Sequence, residues 1–137
     1  MLVQRRGDAS HDWALYGGKG SLGIEWYFRD TTALPTSVML YHLEPGTQEG
    51  EHLHLEGDAD SCSVKSSDEL YVVVAGEVVF TLDGESTVLT PGDAAYAPAG
   101  TLHGVSNESD AAAELILVFG PASEALAKAN ATETKIH

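Results

Sequence analysis

The sequence predicts an all-β protein built as a barrel or a sandwich. Short apolar runs recur along the chain, and Gly, Pro, Asn and Asp turn signals separate them at close, regular spacing. One of those runs carries an H-x-H pair, His52 and His54, and residues two apart on a strand project from the same face. With 137 residues, 43% of them hydrophobic and 20% charged, the chain is long enough to bury a core and is expected to form one domain over 1–137, with no internal repeat or linker.

Taken in order, the segment 1–23 is expected to be irregular, with Gly17, Gly18 and Gly20 making it flexible. Gly18, Gly20 and Gly23 formally match G-x-G-x-x-G, but no strand precedes and no helix follows, so the match carries no dinucleotide site. Ile24 to Phe28 is the first expected strand, and Val38 to Leu43 is the second, ended by Glu44-Pro45-Gly46. The H-x-H strand follows. Glu69 to Ala75 is a β-branched run stopped by Gly76, and Glu77 to Leu82 and Thr87 to Leu89 flank Asp83-Gly84, a strong hairpin signal. Ala94 to Ala97 is a short strand after Thr90-Pro91-Gly92-Asp93, Pro98-Ala99-Gly100 introduces the strand with His103, and Glu114 to Phe119 closes the set. Alanine-rich residues 121–131 have the composition of a short C-terminal helix.

Charge and cysteine content exclude whole classes of function. Twenty-one acidic against seven basic residues give a formal net charge of −14, which repels phosphate backbones and anionic membrane surfaces, so neither nucleic acid nor membrane is an expected partner. No stretch approaches the roughly 18 apolar residues of a membrane span, and Arg5 and Arg6 have no apolar run behind them, so a cytoplasmic location is expected. Cys62 is the sole cysteine, which excludes an internal disulfide, and the N-x-S/T matches at Asn107 and Asn130 read as chance.

The residues that carry chemistry fall into two motifs. Gly46, five residues, His52, His54, then Glu69, six residues and Gly76 form the first; Gly92, Pro98, Gly100, His103 and Asn107 form the second, spaced G-x5-P-x-G-x2-H-x3-N. This pattern resembles the cupins. One interval departs from the family's: residues 55–68, fourteen of them, stand where the usual gap is much shorter and look like an insertion between two strands. The resemblance covers residues 46 to 107. It implies a cupin jelly-roll β-barrel in which His52, His54, Glu69 and His103 converge on one divalent metal, and a homodimer formed by strand exchange or sheet packing.

Three imidazoles and a carboxylate form a nitrogen-rich donor set suited to Fe, Mn, Ni, Co, Cu or Zn and unsuited to Mg or Ca. Four protein ligands leave an octahedral ion two open positions for a chelating substrate, or for substrate and dioxygen together. His11, His42 and His137 have no such framework and read as ordinary packed or surface residues.

Strand alternation extends the reading to the pocket. Tyr71 shares the face of Glu69, so its phenol is a candidate donor to substrate or bound oxygen; filling the barrel with an aromatic ring is the competing role. Met39, Tyr41, Phe80, Tyr96 and Trp26 are candidate cavity-wall residues with ordinary core packing as the alternative. The polar insertion is either a lid over the barrel mouth or a solvated loop, and Cys62 within it reads as a free surface thiol.

Between Gly46 and Asn107 the only basic residue besides histidine is Lys65, and Arg5, Arg6 and Arg29 all precede the first motif. Enzymes for small dicarboxylates or phosphosugars commonly use arginine as a bidentate clamp. Unless Arg29 reaches inward, that favours a neutral, metal-chelating aromatic or polyketide-like substrate. The expected function is a metal-dependent enzyme of the dioxygenase type, with an isomerase, cyclase or lyase on the same site, or a non-catalytic binding or sensor module, as the alternatives.

Overall fold

The computed structural model describes residues 1–52 and 67–120. Ten strands lie among them: β1 (Ser10–Trp13), β2 (Leu22–Trp26), β3 (Ser37–Leu43), β4 (Gln48–His52), β5 (Asp68–Ala75), β6 (Val78–Leu82), β7 (Glu85–Leu89), β8 (Ala94–Ala97), β9 (His103–Ser106) and β10 (Ala113–Gly120). They form two antiparallel sheets, one in the order β1-β2-β3-β10-β5-β8 and one in the order β4-β9-β6-β7. This is the expected all-β jelly roll. The proposed helix over 121–131, His54 and Cys62 lie outside the described residues.

Alternation builds the core. On β5, Glu69, Tyr71 and Val73 are buried while Val74 is exposed; on β10, Ala113, Leu115, Leu117 and Phe119 are buried. These join Ile24, Met39, Tyr41, Phe80 and Val105 in one cluster drawn from both sheets. Tight turns fix the register. Asp83 and Gly84 both take positive φ, 47° and 86°, the signature of a two-residue hairpin, and β6 pairs β7 with Leu82 opposite Glu85. The buried Asn107 amide donates to Leu43 O at 2.9 Å and Ala111 O at 2.8 Å, so this motif residue clamps strand ends.

The N-terminal segment corrects the sequence reading. Residues 10–13 form an edge strand paired with β2, from Ser10 opposite Glu25 to Trp13 opposite Leu22, and a 3-10 turn follows over Leu15–Gly17. All four β1 residues are exposed, so no buried face imposes the alternation by which strands are read. The turn packs directly on β4. A Cβ on Gly50 would stand 2.0 Å from Tyr16 O, and one on Gly18 would stand 2.1 Å from Gln48 O. Both contacts are with backbone, which cannot swing aside. Among the described residues no helix is long and apolar enough to cross a membrane.

Gly50→Ala is therefore expected to destabilise the fold by about 1–3 kcal/mol, the usual cost of overpacking. Thermal unfolding should show a midpoint lower by about 4 °C or more. An unchanged midpoint would refute the close packing of the turn on β4.

Candidate metal centre

His52 closes β4 and His103 opens β9, and the two stand directly opposite in the register of the four-stranded sheet. Glu69 enters from the other sheet, where it faces Ala97 of β8 and Phe119 of β10. The three side chains are almost fully buried, at 5%, 1% and 2% exposure. Glu69 Oε1 lies 3.7 Å from His52 Nε2, and Glu69 Oε2 lies 3.3 Å from His103 Nε2.

Backbone contacts fix which ring nitrogen faces Glu69. His52 Nδ1 sits 2.8 Å from Gly50 O and His103 Nδ1 sits 2.9 Å from Thr101 O, so each Nδ1–H donates to a carbonyl and each Nε2 is turned toward Glu69. Burial disfavours the charged form of His103, but the hydrogen bond and charge of Glu69 outweigh it and raise its pKa. A single divalent ion fits this set. Donors bound at about 2.0–2.2 Å around one ion stand about 3 to 4 Å apart, and the donor atoms of His52, Glu69 and His103 all lie within 4.8 Å of one another.

A family model of the cupin domain matches residues 39–119. The chain is a cupin. An uncharacterized protein of Streptomyces coelicolor is 32% identical over 85 residues, 62% of this chain and 70% of that one. Two solved structures share the cupin fold at 21% identity. A predicted oxalate decarboxylase from Thermotoga maritima superposes with a TM-score of 0.73 over 87% of this chain and 97% of its own. A Cupin 2 conserved barrel domain protein from Salinispora arenicola gives 0.69 over 97% and 98%.

Beside the centre, a cavity of about 130 Å³ is bounded by Glu69, Met39, Tyr41, Trp26, Tyr16 and Arg29 among others. Met39 and Tyr41 thus lie at the wall of this cavity. Phe80 is buried against Tyr71, with ring centroids 5.1 Å apart, and does not line this cavity. Tyr96 is corrected outright. It is 54% exposed and its hydroxyl donates to Asp68, because in the β5–β8 register it stands opposite Leu70, on the face away from Glu69. Arg29 borders the cavity after all, with its guanidinium 4.5 Å from the centroid of the Trp26 ring.

Two features of this cupin escaped the sequence. Tyr16 stacks on His52 with ring centroids 3.6 Å apart and planes 8° from parallel, and it does so from a left-handed backbone with φ 54°. Such conformations persist only where the surroundings enforce them. The second is Glu49, a carboxylate 1% exposed that accepts hydrogen bonds from Tyr41 at 2.6 Å and Tyr71 at 2.8 Å. Burial raises the pKa of Glu49, and burial followed by the Glu49 charge pushes both phenols well above the usual tyrosine range. The Tyr71 hydroxyl thus donates to Glu49 and also lies close enough to Glu69 to feel its hydrogen bonding. A register irregularity between Glu49 and His52 turns both residues inward although they are three apart, which simple alternation forbids.

Tyr71→Phe removes one of the two phenols that hold a buried acid and is expected to destabilise by about 1–3 kcal/mol. In a Glu49→Gln background the same change should cost less, by about 1 kcal/mol of coupling in a double-mutant cycle followed by chemical denaturation. Strict additivity of the two changes would show that the bond contributes nothing.

Proposed function

We propose that this cupin is a metal-dependent enzyme acting on a small, metal-chelating molecule, with oxygenase chemistry of the dioxygenase type as its reaction class. What carries the reading is a buried set of two imidazoles and one carboxylate, donor atoms converging, of which Glu69 also lines a cavity. His52, Glu69 and His103 would hold the ion, with His54 as the fourth ligand. When bound, a divalent transition metal supplies Lewis acidity and open positions at which a guest chelates.

The chain's own residues set the conditions around it. Gly50 O and Thr101 O accept hydrogen bonds from the histidine Nδ1–H groups and so aim the Nε2 atoms at Glu69. Tyr16 covers one face of the His52 ring, and Met39 and Tyr41 wall the guest from solvent water. Tyr41 and Tyr71 donate hydrogen bonds to Glu49, holding that second acid in place beneath the site. A cavity of about 130 Å³ is small beside the roughly 300–1,000 Å³ of drug-sized ligand sites, which favours a compact guest over a polyketide.

A second reading has one observation in its favour. Arg29 at the cavity supports a guest with an acidic group, and with it a non-oxidative lyase or isomerase on the same centre, in keeping with the predicted oxalate decarboxylase whose fold this chain shares.

Metal analysis of protein purified without added metal should find about one equivalent of a first-row ion. In an oxygen-electrode screen of small hydroxyketones and hydroxyacids, oxygen consumption matched to product supports the oxygenase. Product without oxygen consumption supports the lyase or isomerase, and binding without turnover of any compound makes the chain a binding module. His103→Ala is expected to lose the metal while its far-ultraviolet circular dichroism stays that of the folded barrel, because Val105 and Phe80 still pack. Stoichiometric metal retained in that variant would contradict the ligand assignment.

A further inference from the structure

We infer that Arg29 recognises an anion at the edge of the cavity, and that the guest of this site is a small carboxylate. The inference rests on the reading of His52, Glu69 and His103 as the reaction centre and adds the charge of what it takes.

The backbone before Arg29 is built to hold it. Phe28 takes a left-handed conformation with φ 52°, unfavourable for a bulky aromatic residue. Its carbonyl accepts hydrogen bonds from Thr31 N at 3.1 Å and Thr32 N at 2.9 Å, and its own N–H donates to Gln4 Oε1 at 2.9 Å. This tight turn brings Arg29 back over the end of β2, where its guanidinium lies 4.5 Å from the Trp26 ring centroid.

The chain has three acidic residues for each basic one, 21 against 7, yet the exposed Arg29 faces a cavity and takes none of the described ones as a partner. Arg6, by contrast, is paired, with Nη1 2.7 Å from Glu114 Oε2. Among the described residues no carboxylate stands within ion-pair distance of Arg29. With its guanidinium carbon held over the Trp26 ring, Arg29 carries N–H donors in a fork that matches a planar, bidentate acceptor, which a carboxylate is. Trp26 adds a second donor to the same wall: its Nε1–H is buried and has no acceptor among the described residues. A volume of about 130 Å³ favours a guest of few carbons.

The test compares glycolate with its neutral counterpart glycolamide on zinc-reconstituted full-length protein, read by calorimetry and by tryptophan fluorescence, to which Trp26 contributes. Wild type should prefer glycolate by about ten-fold or more; Arg29→Gln should lose that preference, and Arg29→Lys should keep part of it. Equal glycolate affinity in wild type and Arg29→Gln, no preference over glycolamide in wild type, or no glycolate binding at all would each overturn the inference. Zinc content of the same samples reports on the metal centre independently. A protein that holds zinc but ignores the charge of the guest sinks this inference alone, and one that holds none sinks the reading beneath it.

Discussion

Two carboxylates, Glu49 and Glu69, are buried to 1% and 2% exposure inside the barrel of a chain whose net charge is already −14. An isolated buried carboxylate costs several kcal/mol, so each must be compensated locally. The two are compensated differently. Glu49 receives two phenol hydroxyls and a pKa raised by burial, an arrangement that needs nothing from outside the protein. Glu69 faces two imidazole Nε2 atoms whose rings are already tied by Nδ1 to backbone carbonyls, and two ring nitrogens and a carboxylate gathered at one point form a donor set for a cation.

The jelly roll delivers this arrangement because its two sheets close over one core. Neighbouring strands β4 and β9 supply the histidines as a cross-strand pair, and β5 brings Glu69 across from the facing sheet. The N-terminal segment completes the enclosure. Its 3-10 turn lies on β4 at backbone contact distance, which seats Tyr16 on His52, and the turn after β2 sets Arg29 on Trp26. Both placements use aromatic residues with positive φ, Tyr16 and Phe28, so backbone strain collects on the side of the barrel where the cavity lies.

Much of the fold was legible because it rests on alternation and on turn chemistry. The strands around Val38, Glu69, Val78 and Leu115 have a buried face, and Asp83-Gly84 specifies its own hairpin. What escaped had no such signal. β1 is an exposed edge strand, and the inward turn of Glu49 depends on an irregularity in β4 that breaks the period of two. Tyr96 was misplaced for a related reason, since its face is set by pairing with Leu70 and a four-residue strand carries too little pattern to show it. The centre was legible through the motif, with His52, Glu69 and His103 brought together and His54 outside the described residues. Arg29 was not, because its approach to the cavity is made by a turn far in sequence from every ligand.

The central claim is that one cation lies between the sheets and compensates Glu69. Anomalous diffraction from crystals grown with manganese or zinc tests it most directly. The account predicts one strong anomalous peak bonded at about 2.0–2.3 Å to His52 Nε2, His103 Nε2 and a Glu69 oxygen. An empty centre in crystals whose metal sits only on surface carboxylates would contradict it.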